Sequence, residues 1–448
     1  MKKDKKKLNI LQLSTFDIGG GAEGSAWNLY NGFKKHGHNS WLAVGSKRTC
    51  DKDVFLIPND QYGSFLRKTL SKPKMLTNKL TFKLHHFKRL EKLFHYAGEP
   101  RSYLDSLKGY EDYNYPGSQH ILNLTPIFPD ILHCHNLHTD YFDLRALSSL
   151  SKRLPIILNI RDAWLLTGHC AHSFDCEKWV DGCGSCPDLS IYPAIKKDGT
   201  AFNWRRKKEI YAQSRLYITT PSEWMMDSVK RSMLVGVDYR IIPNGIDLEI
   251  FKPENKIIAR QKLNLPLDKK IILFVANGGK GNIWKDYNTI KKTIEYLTNA
   301  SKIENMLFIC LGDKGLINLN IQSVIKNYPF ELDPRKVAMY YQAADIYLHA
   351  SKVESFGKTI TEAMACGTAV IASSVAAIPE QIQDSINGFL IQPSDYISMA
   401  ERTMQLLNNN NLRKRFIQAG MQIVKKKYDI NIQISSFLEW YREILENK

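Results

Sequence analysis

No apolar run in this chain approaches the roughly 18–20 residues that a membrane-spanning helix requires. The start, MKKDKKKLNILQL, has neither the apolar centre nor the small-residue cleavage site of a secretory signal, so a cytoplasmic location is expected. Cysteine is sparse: eight in 448 residues argue against a disulfide-built scaffold. Acidic residues are outnumbered, 45 Asp and Glu against 62 Lys and Arg, and the net charge is +17. That excess favours anionic partners: phosphorylated small molecules, anionic lipid or nucleic acid. DNA-type zinc-finger spacing, RNP motifs and helix-turn-helix signatures are absent, so nucleic acid is not an expected partner. What is present in quantity is apolar residues, 44% of a chain too long for one ordinary domain, and two domains are expected.

The most informative stretch runs from Ala344 to Phe389. Asp345–Ala350 reads as a short buried strand, Ser351–Phe356 as a polar loop, Lys358–Ala365 as a helix and Ala369–Ser373 as the next buried strand. Cys366-Gly367 ends the helix, with Gly just past its last turn. Unpaired N–H groups and a positive dipole end make the strand-to-helix crossing suitable for phosphate, and Gly357 lets an anion approach the backbone. Glu362, one turn into the helix, has the chemistry to accept hydrogen bonds from both hydroxyls of a ribose. Glu354 precedes the helix, on the other side of such a phosphate, where a sugar would sit. A purely structural βαβ unit is the alternative.

At the N-terminus, strand Leu8–Ser14 leads into Gly19, Gly20, Gly21 and Gly24, then a helix to His36 and a strand Asn39–Gly45. Gly19, Gly21 and Gly24 spell the dinucleotide fingerprint, but they begin five residues past the strand. The second strand ends in Ser46-Lys47-Arg48, with no acid to hold a ribose. Residues 62–96 hold nine Lys/Arg and one acid, Glu91, interleaved with apolar residues at roughly helical spacing. Such a segment either lies on an anionic membrane or covers the domain core with a solvated basic face.

His133, His135 and His138 cluster after the strand Ile131–Leu132, without metal-ligand spacing to the flanking acids Asp130 and Asp140. Cys170, Cys176, Cys183 and Cys186 follow as C-x5-C-x6-C-x2-C with Gly182, Gly184 and Pro187 around them. Four thiolates suit a closed structural zinc site with no open position for catalysis; four ordinary loop thiols are the other reading. Ile241–Asp247 is punctuated as a linker. Lys270–Val275 opens a second run of strands and helices, with Lys285 in the loop that follows and Met306–Gly312 as a further strand.

Taken together these segments resemble the family 4 retaining glycosyltransferases. The matching features are AAD at Ala343–Asp345, ESFG at Glu354–Gly357, EAMACGT at Glu362–Thr368, PE at Pro379–Glu380 and NGFL at Asn387–Leu390. PNGID at Pro243–Asp247, with Phe251 and Pro253 after it, also matches. The resemblance implies a GT-B fold, with two doubly wound Rossmann-like α/β domains facing a cleft. The boundary falls near Asn244: residues 1–243 on the acceptor side, 244–427 binding the sugar nucleotide, and a last helix at about 428–448 returning to the first domain. It implies metal-independent retaining transfer from a UDP-, GDP- or ADP-sugar to a glycan or lipid-linked glycan acceptor.

Residue by residue, the resemblance makes His135, Glu354 and Lys285 catalytic. Gly20, Gly21, Lys285, Glu354, Phe356, Gly357, Lys358, Thr359 and Glu362 would bind the donor, and Glu23 and Asp162 would face the acceptor. Two departures stand out. Arg161 replaces the histidine expected before Asp162, and the loop's expected arginine falls near Asn277-Gly278, with Lys280 the nearest substitute. The cysteine-rich stretch resembles an insertion in a subset of the family that assembles exopolysaccharides such as colanic acid. With a lipid-linked acceptor, the membrane reading of residues 62–96 gives peripheral attachment at the inner face of the plasma membrane; as a structural helix the segment gives a cytoplasmic enzyme. A sugar nucleotide epimerase, or a non-catalytic protein that binds sugar nucleotide or membrane, are the alternatives.

Overall fold

A computed structural model describes residues 6–65, 67–69, 99–111, 114–138, 141–275, 282–300, 305–312 and 325–447. Most of the basic segment 62–96, together with Asn277, Gly278 and Lys280, lies outside the described residues. The chain divides into two compact units. The first comprises Met1–Thr220, Met225–Ile241 and Leu438–Lys448; the second comprises Pro221–Trp224 and Ile242–Phe437.

The first unit is built on a seven-stranded sheet: β1 (Asn9–Phe16), β2 (Asn39–Ser46), β3 (Val54–Leu56), β4 (Ile131–Cys134), β5 (Ile156–Asn159), β6 (Leu216–Thr220) and β7 (Asp238–Ile241). The spatial order is β3-β2-β1-β4-β5-β6-β7, and every pairing is parallel. The second unit has six strands: β8 (Lys270–Val275), β9 (Met306–Gly312), β10 (Ile325–Pro329), β11 (Ile346–His349), β12 (Ala369–Ser373) and β13 (Phe389–Ile391). Their order is β10-β9-β8-β11-β12-β13, again all parallel. Parallel strands covered on both faces need apolar side chains on both faces. The sequence supplies them: IYLH, AVIAS and MLFICLG are buried at every position.

Both sheets reverse direction in the same way, at β1/β4 and at β8/β11. In open α/β sheets ligands bind beyond the carboxyl ends of the strands at such a switch point. In the first unit Gly20, Gly21 and Glu23 follow β1 and His135 follows β4; in the second, Glu354 and Gly357 follow β11, so each unit's candidates lie beyond the strands at its own switch point.

The division differs in detail from a boundary at Asn244. Pro221–Trp224 groups with the second unit, where Ser222 Oγ donates to the Ser355 carbonyl at 2.8 Å. The helix Ile430–Glu446 is shared between the units. Its early part holds the linker, with Gly245 N–H donating to Gln433 Oε1 at 2.9 Å. Its end belongs to the first unit, where Trp440 Nε1 donates to Asp238 at 2.7 Å and Tyr441 bonds His133. Among the described residues no helix is long and apolar enough to cross a membrane.

Candidate functional site: two switch-point clusters

In the second unit Lys285 is fixed through its backbone before its side chain acts. It bridges antiparallel to Ser351, while Asp286 N–H donates to the Ala350 carbonyl at 3.1 Å and Lys352 N–H to that of Trp284 at 2.9 Å. Asp286 in turn caps the helix Tyr287–Ala300 by accepting from Thr289 N–H at 3.1 Å and Thr289 Oγ1 at 2.6 Å. Lys285 Nζ therefore stands at the end of β11, donating to Glu354 Oε2 at 2.8 Å, His349 Nε2 at 3.1 Å and Ser351 Oγ at 3.2 Å. Burial alone would raise the Glu354 pKa, but the Lys285 ammonium outweighs it and holds the carboxyl well below the ordinary value. His349, fully buried beside the same ammonium, is pushed down to about 4 and is neutral at physiological pH.

Glu362 has the opposite electrostatics. Its burial raises its pKa against the pull of Lys358, 3.5 Å away, and of Tyr341, whose hydroxyl donates to Oε2 at 3.2 Å. Gly357 caps the intervening helix Lys358–Ala365 at φ +78°, a conformation strained for residues with a Cβ. Thr359 Oγ1 accepts from the Tyr347 hydroxyl at 2.9 Å, and Phe356 is buried edge-on to Tyr428. Asp345, of the AAD segment, is structural: buried, it accepts from Arg260 at 2.9 Å, Lys256 at 2.8 Å and Ile271 N–H at 2.8 Å, which ties β11 to β8.

In the first unit Gly20 caps the helix Gly21–Lys35, and the Glu23 carboxylate folds over Gly20, where a Cβ would lie 2.5 Å from Oε2. The dinucleotide reading loses its ribose position here. Asp17, after β1, instead accepts from Arg48 N–H at 2.9 Å and from Thr49 N–H at 2.7 Å, and Arg48 lies over Phe16. His135 is 1% exposed; Gln12 Oε1 accepts from its Nε2 at 2.9 Å, and its buried Nδ1 has no partner among the described residues. Burial, His133 and Arg161 keep its ring neutral.

Asp162 accepts from His138 Nε2 at 2.9 Å. Burial would lower the His138 pKa, but Asp162 outweighs it and raises the value; Glu23 adds to the effect. Glu23, His138, Arg161 and Asp162 thus form one charged neighbourhood at the ends of β1, β4 and β5.

Cys170, Cys176, Cys183 and Cys186 line a single cavity of about 20 Å³, with His169 and Trp179 in its wall. Burial pushes the Cys170 thiol up to about 12 and Cys183 up to about 11. All four thiols are free, and among the described residues no group of three or more His, Cys, Asp or Glu is closed around a point as metal ligands.

The structure thus joins Lys285 to Glu354, Lys358 to Glu362 and, through His138 and Arg161, Glu23 to Asp162. Sequence reasoning missed His349, Ser351, Tyr341 and the pairing of His138. Tyr347 and His349 alternate along β11 and so share one face. That spacing, immediately before Glu354, was the available signal.

The sequence profile of the family described as Glycosyl transferases group 1 matches residues 255–423. Over 262 residues the chain is 26% identical to the D-inositol 3-phosphate glycosyltransferase of Xylanimonas cellulosilytica, covering 54% of this chain and 60% of that protein. Over 275 residues it is 26% identical to the putative colanic acid biosynthesis glycosyl transferase WcaC of Escherichia coli, covering 57% and 63%. The chain thus spans about three fifths of the length of these curated relatives. The crystal structure of HepE from Anabaena in complex with UDP-glucose superimposes with a TM-score of 0.60 at 15% identity, over 97% of this chain and all of that one. Residues 255–423 are therefore a glycosyl transferase group 1 domain, in a chain with the GT-B fold.

Proposed function

We propose that this chain transfers a sugar, with retention of configuration, from a nucleoside diphosphate sugar to a glycan or lipid-linked glycan during assembly of a cell-surface polysaccharide. The observation that carries this reading is the contrast between two carboxylates either side of Gly357. Glu354 is held ionised by Lys285, whereas Glu362 is desolvated and steadied by Tyr341. An ionised carboxylate beside an ammonium suits a centre where a sugar becomes cationic and a diphosphate departs. A desolvated carboxylate gains most from the two hydroxyls of a ribose.

In this mechanism Lys285 shares its charge between Glu354 and the leaving diphosphate, and the amides after Gly357 stabilise the same oxyanions. Thr359 and Lys358 border the phosphates, and Phe356 sets the loop. The resemblance assigns His135 to the transferred sugar and Gly20 and Gly21 to the diphosphate. Glu23 and Asp162 receive the acceptor. No step passes through a metal. The UDP-glucose bound by HepE and the colanic acid role of WcaC support a UDP-sugar donor and a polysaccharide product.

The +17 charge supports peripheral attachment to an anionic membrane at its cytoplasmic face. Vesicle sedimentation that weakens with salt tests that attachment. A calorimetric screen of UDP, GDP and ADP, each with and without its sugar, tests the donor site; absence of binding by all of them contradicts the reading.

A further inference from the structure

We infer that Cys170, Cys176, Cys183 and Cys186 form a structural zinc centre that holds the surrounding loop so that Asp162 and His138 stay paired. The segment Thr167–Gly199 contains neither strand nor helix. Loops beyond about 12–15 residues without secondary structure are uncommon in compact domains and need a cause. Here the four cysteines line one cavity of about 20 Å³, room for a single ion. Gly182, just before Cys183, has φ +153°, and Gly184 and Ser185, at φ +149° and 45°, redirect the chain between Cys183 and Cys186. Gly168 N–H donates to Cys183 Sγ at 3.2 Å, a bond that favours the thiolate.

The surroundings match a metal–thiolate group. His169 directs Nε2 to within 3.4 Å of Cys186 Sγ, while its Nδ1 is anchored on the Pro193 carbonyl at 3.1 Å. Lys207, wholly buried, donates to the carbonyls of Trp164 at 2.7 Å and Thr167 at 3.1 Å and lies within electrostatic reach of Cys170 and Cys183. A zinc ion with four thiolates carries net negative charge, and Lys207, which also pairs with Glu111 at 3.3 Å, offsets part of it. Binding draws the thiols inward from the cavity wall.

The link to the dyad is continuous. Ala171, beside Cys170, accepts from Ala163 N–H at 2.6 Å and donates to the Tyr192 carbonyl at 2.8 Å. Trp164 N–H donates to Asp162 Oδ1 at 3.0 Å, and the rings of Trp164 and Tyr192 each pack edge-on to His138 at 5.7 Å. Loosening the thiols loosens both walls of the His138–Asp162 pair.

The test uses the full chain purified without added metal. Elemental analysis gives about one zinc per chain, and exchange with cobalt gives the intense visible bands of a tetrahedral thiolate site. Cys183→Ser with Cys186→Ser loses that metal, while Cys50→Ser keeps it. Chelation of the wild-type chain speeds proteolysis between residues 167 and 199 at least tenfold and leaves residues 255–423 uncut. Absence of metal with four freely reactive thiols, a disulfide among them, or metal that survives the double substitution overturns the centre. Chelation that leaves the loop protected overturns its positioning role. If the double variant does not fold, the cobalt spectrum and chelation of the wild type decide alone.

Discussion

Lys285 Nζ and Glu354 Oε2 stand 2.8 Å apart, with His349 behind them and the backbone of Lys285 bridged to Ser351. An ammonium and a carboxylate from loops 69 positions apart are thereby fixed at one point beyond β11. Glu354→Gln is expected to lower turnover about 100- to 1,000-fold while changing nucleotide affinity little, because it removes charge at the reacting centre. Lys285→Ala is expected to weaken both, since it strips the diphosphate of its cation. Steady-state kinetics beside calorimetry with nucleoside diphosphate separates the two; equal losses in Glu354→Gln place that residue elsewhere.

Glu362→Ala is expected to weaken nucleoside diphosphate binding by roughly 1.5–3 kcal/mol, the loss of two hydrogen bonds to ribose, with the fold retained. Tyr341→Phe leaves one carboxylate oxygen without its donor and is expected to produce a smaller loss in the same direction. Deoxyribose nucleotides report on the assignment independently: the Glu362→Ala chain should discriminate poorly between ribose and 2′-deoxyribose. Unchanged affinity in calorimetry removes Glu362 from the ribose site.

The His138–Asp162 pair sets a pH dependence. The folded pKa of His138 lies above its ordinary 6.5, so the pair's contribution is complete below about pH 6.5 and is lost as pH rises through the folded value. The folded pKa of Asp162 lies below its ordinary 3.8, so its share is present above about pH 3.8 and is lost as pH falls through that lower value. Asp162→Asn is expected to destabilise the first unit by roughly 1–3 kcal/mol near pH 5–6, with the gap from wild type closing toward pH 9. Denaturant titrations across that range measure it, and a gap independent of pH contradicts the pairing.

Much of this arrangement was legible in the sequence because it rests on local pattern. The strand Ala369–Ser373 and the helix Lys358–Ala365 have the bounds that apolar runs and Cys366-Gly367 imply. Met306–Gly312 and Lys270–Val275 likewise read directly as strands. The positions of Gly357, Glu354 and Glu362 follow from those elements. What was not legible depends on contacts across the chain. The pairing of Lys285 with Glu354 needs β8 and β11 to be neighbours, although they are separated in sequence by two strands. Tyr341 reaches Glu362 only because its helix packs on the next one, and the histidine cluster resolved into unlike roles. His133 and His135 are buried and neutral, whereas His138 is raised by an acid 24 positions away.

The central claim is that this chain moves a sugar from a nucleoside diphosphate at the Lys285–Glu354 centre. Real-time NMR of the wild-type chain with UDP-, GDP- or ADP-sugars and a glycan acceptor measures it most directly. The account predicts nucleoside diphosphate released in step with acceptor glycosylation, a new linkage of the donor's anomeric configuration, and at least a hundredfold slower release with Glu354→Gln. A donor returned as its epimer, a product of inverted configuration, or no reaction with any of the three donor classes would contradict it.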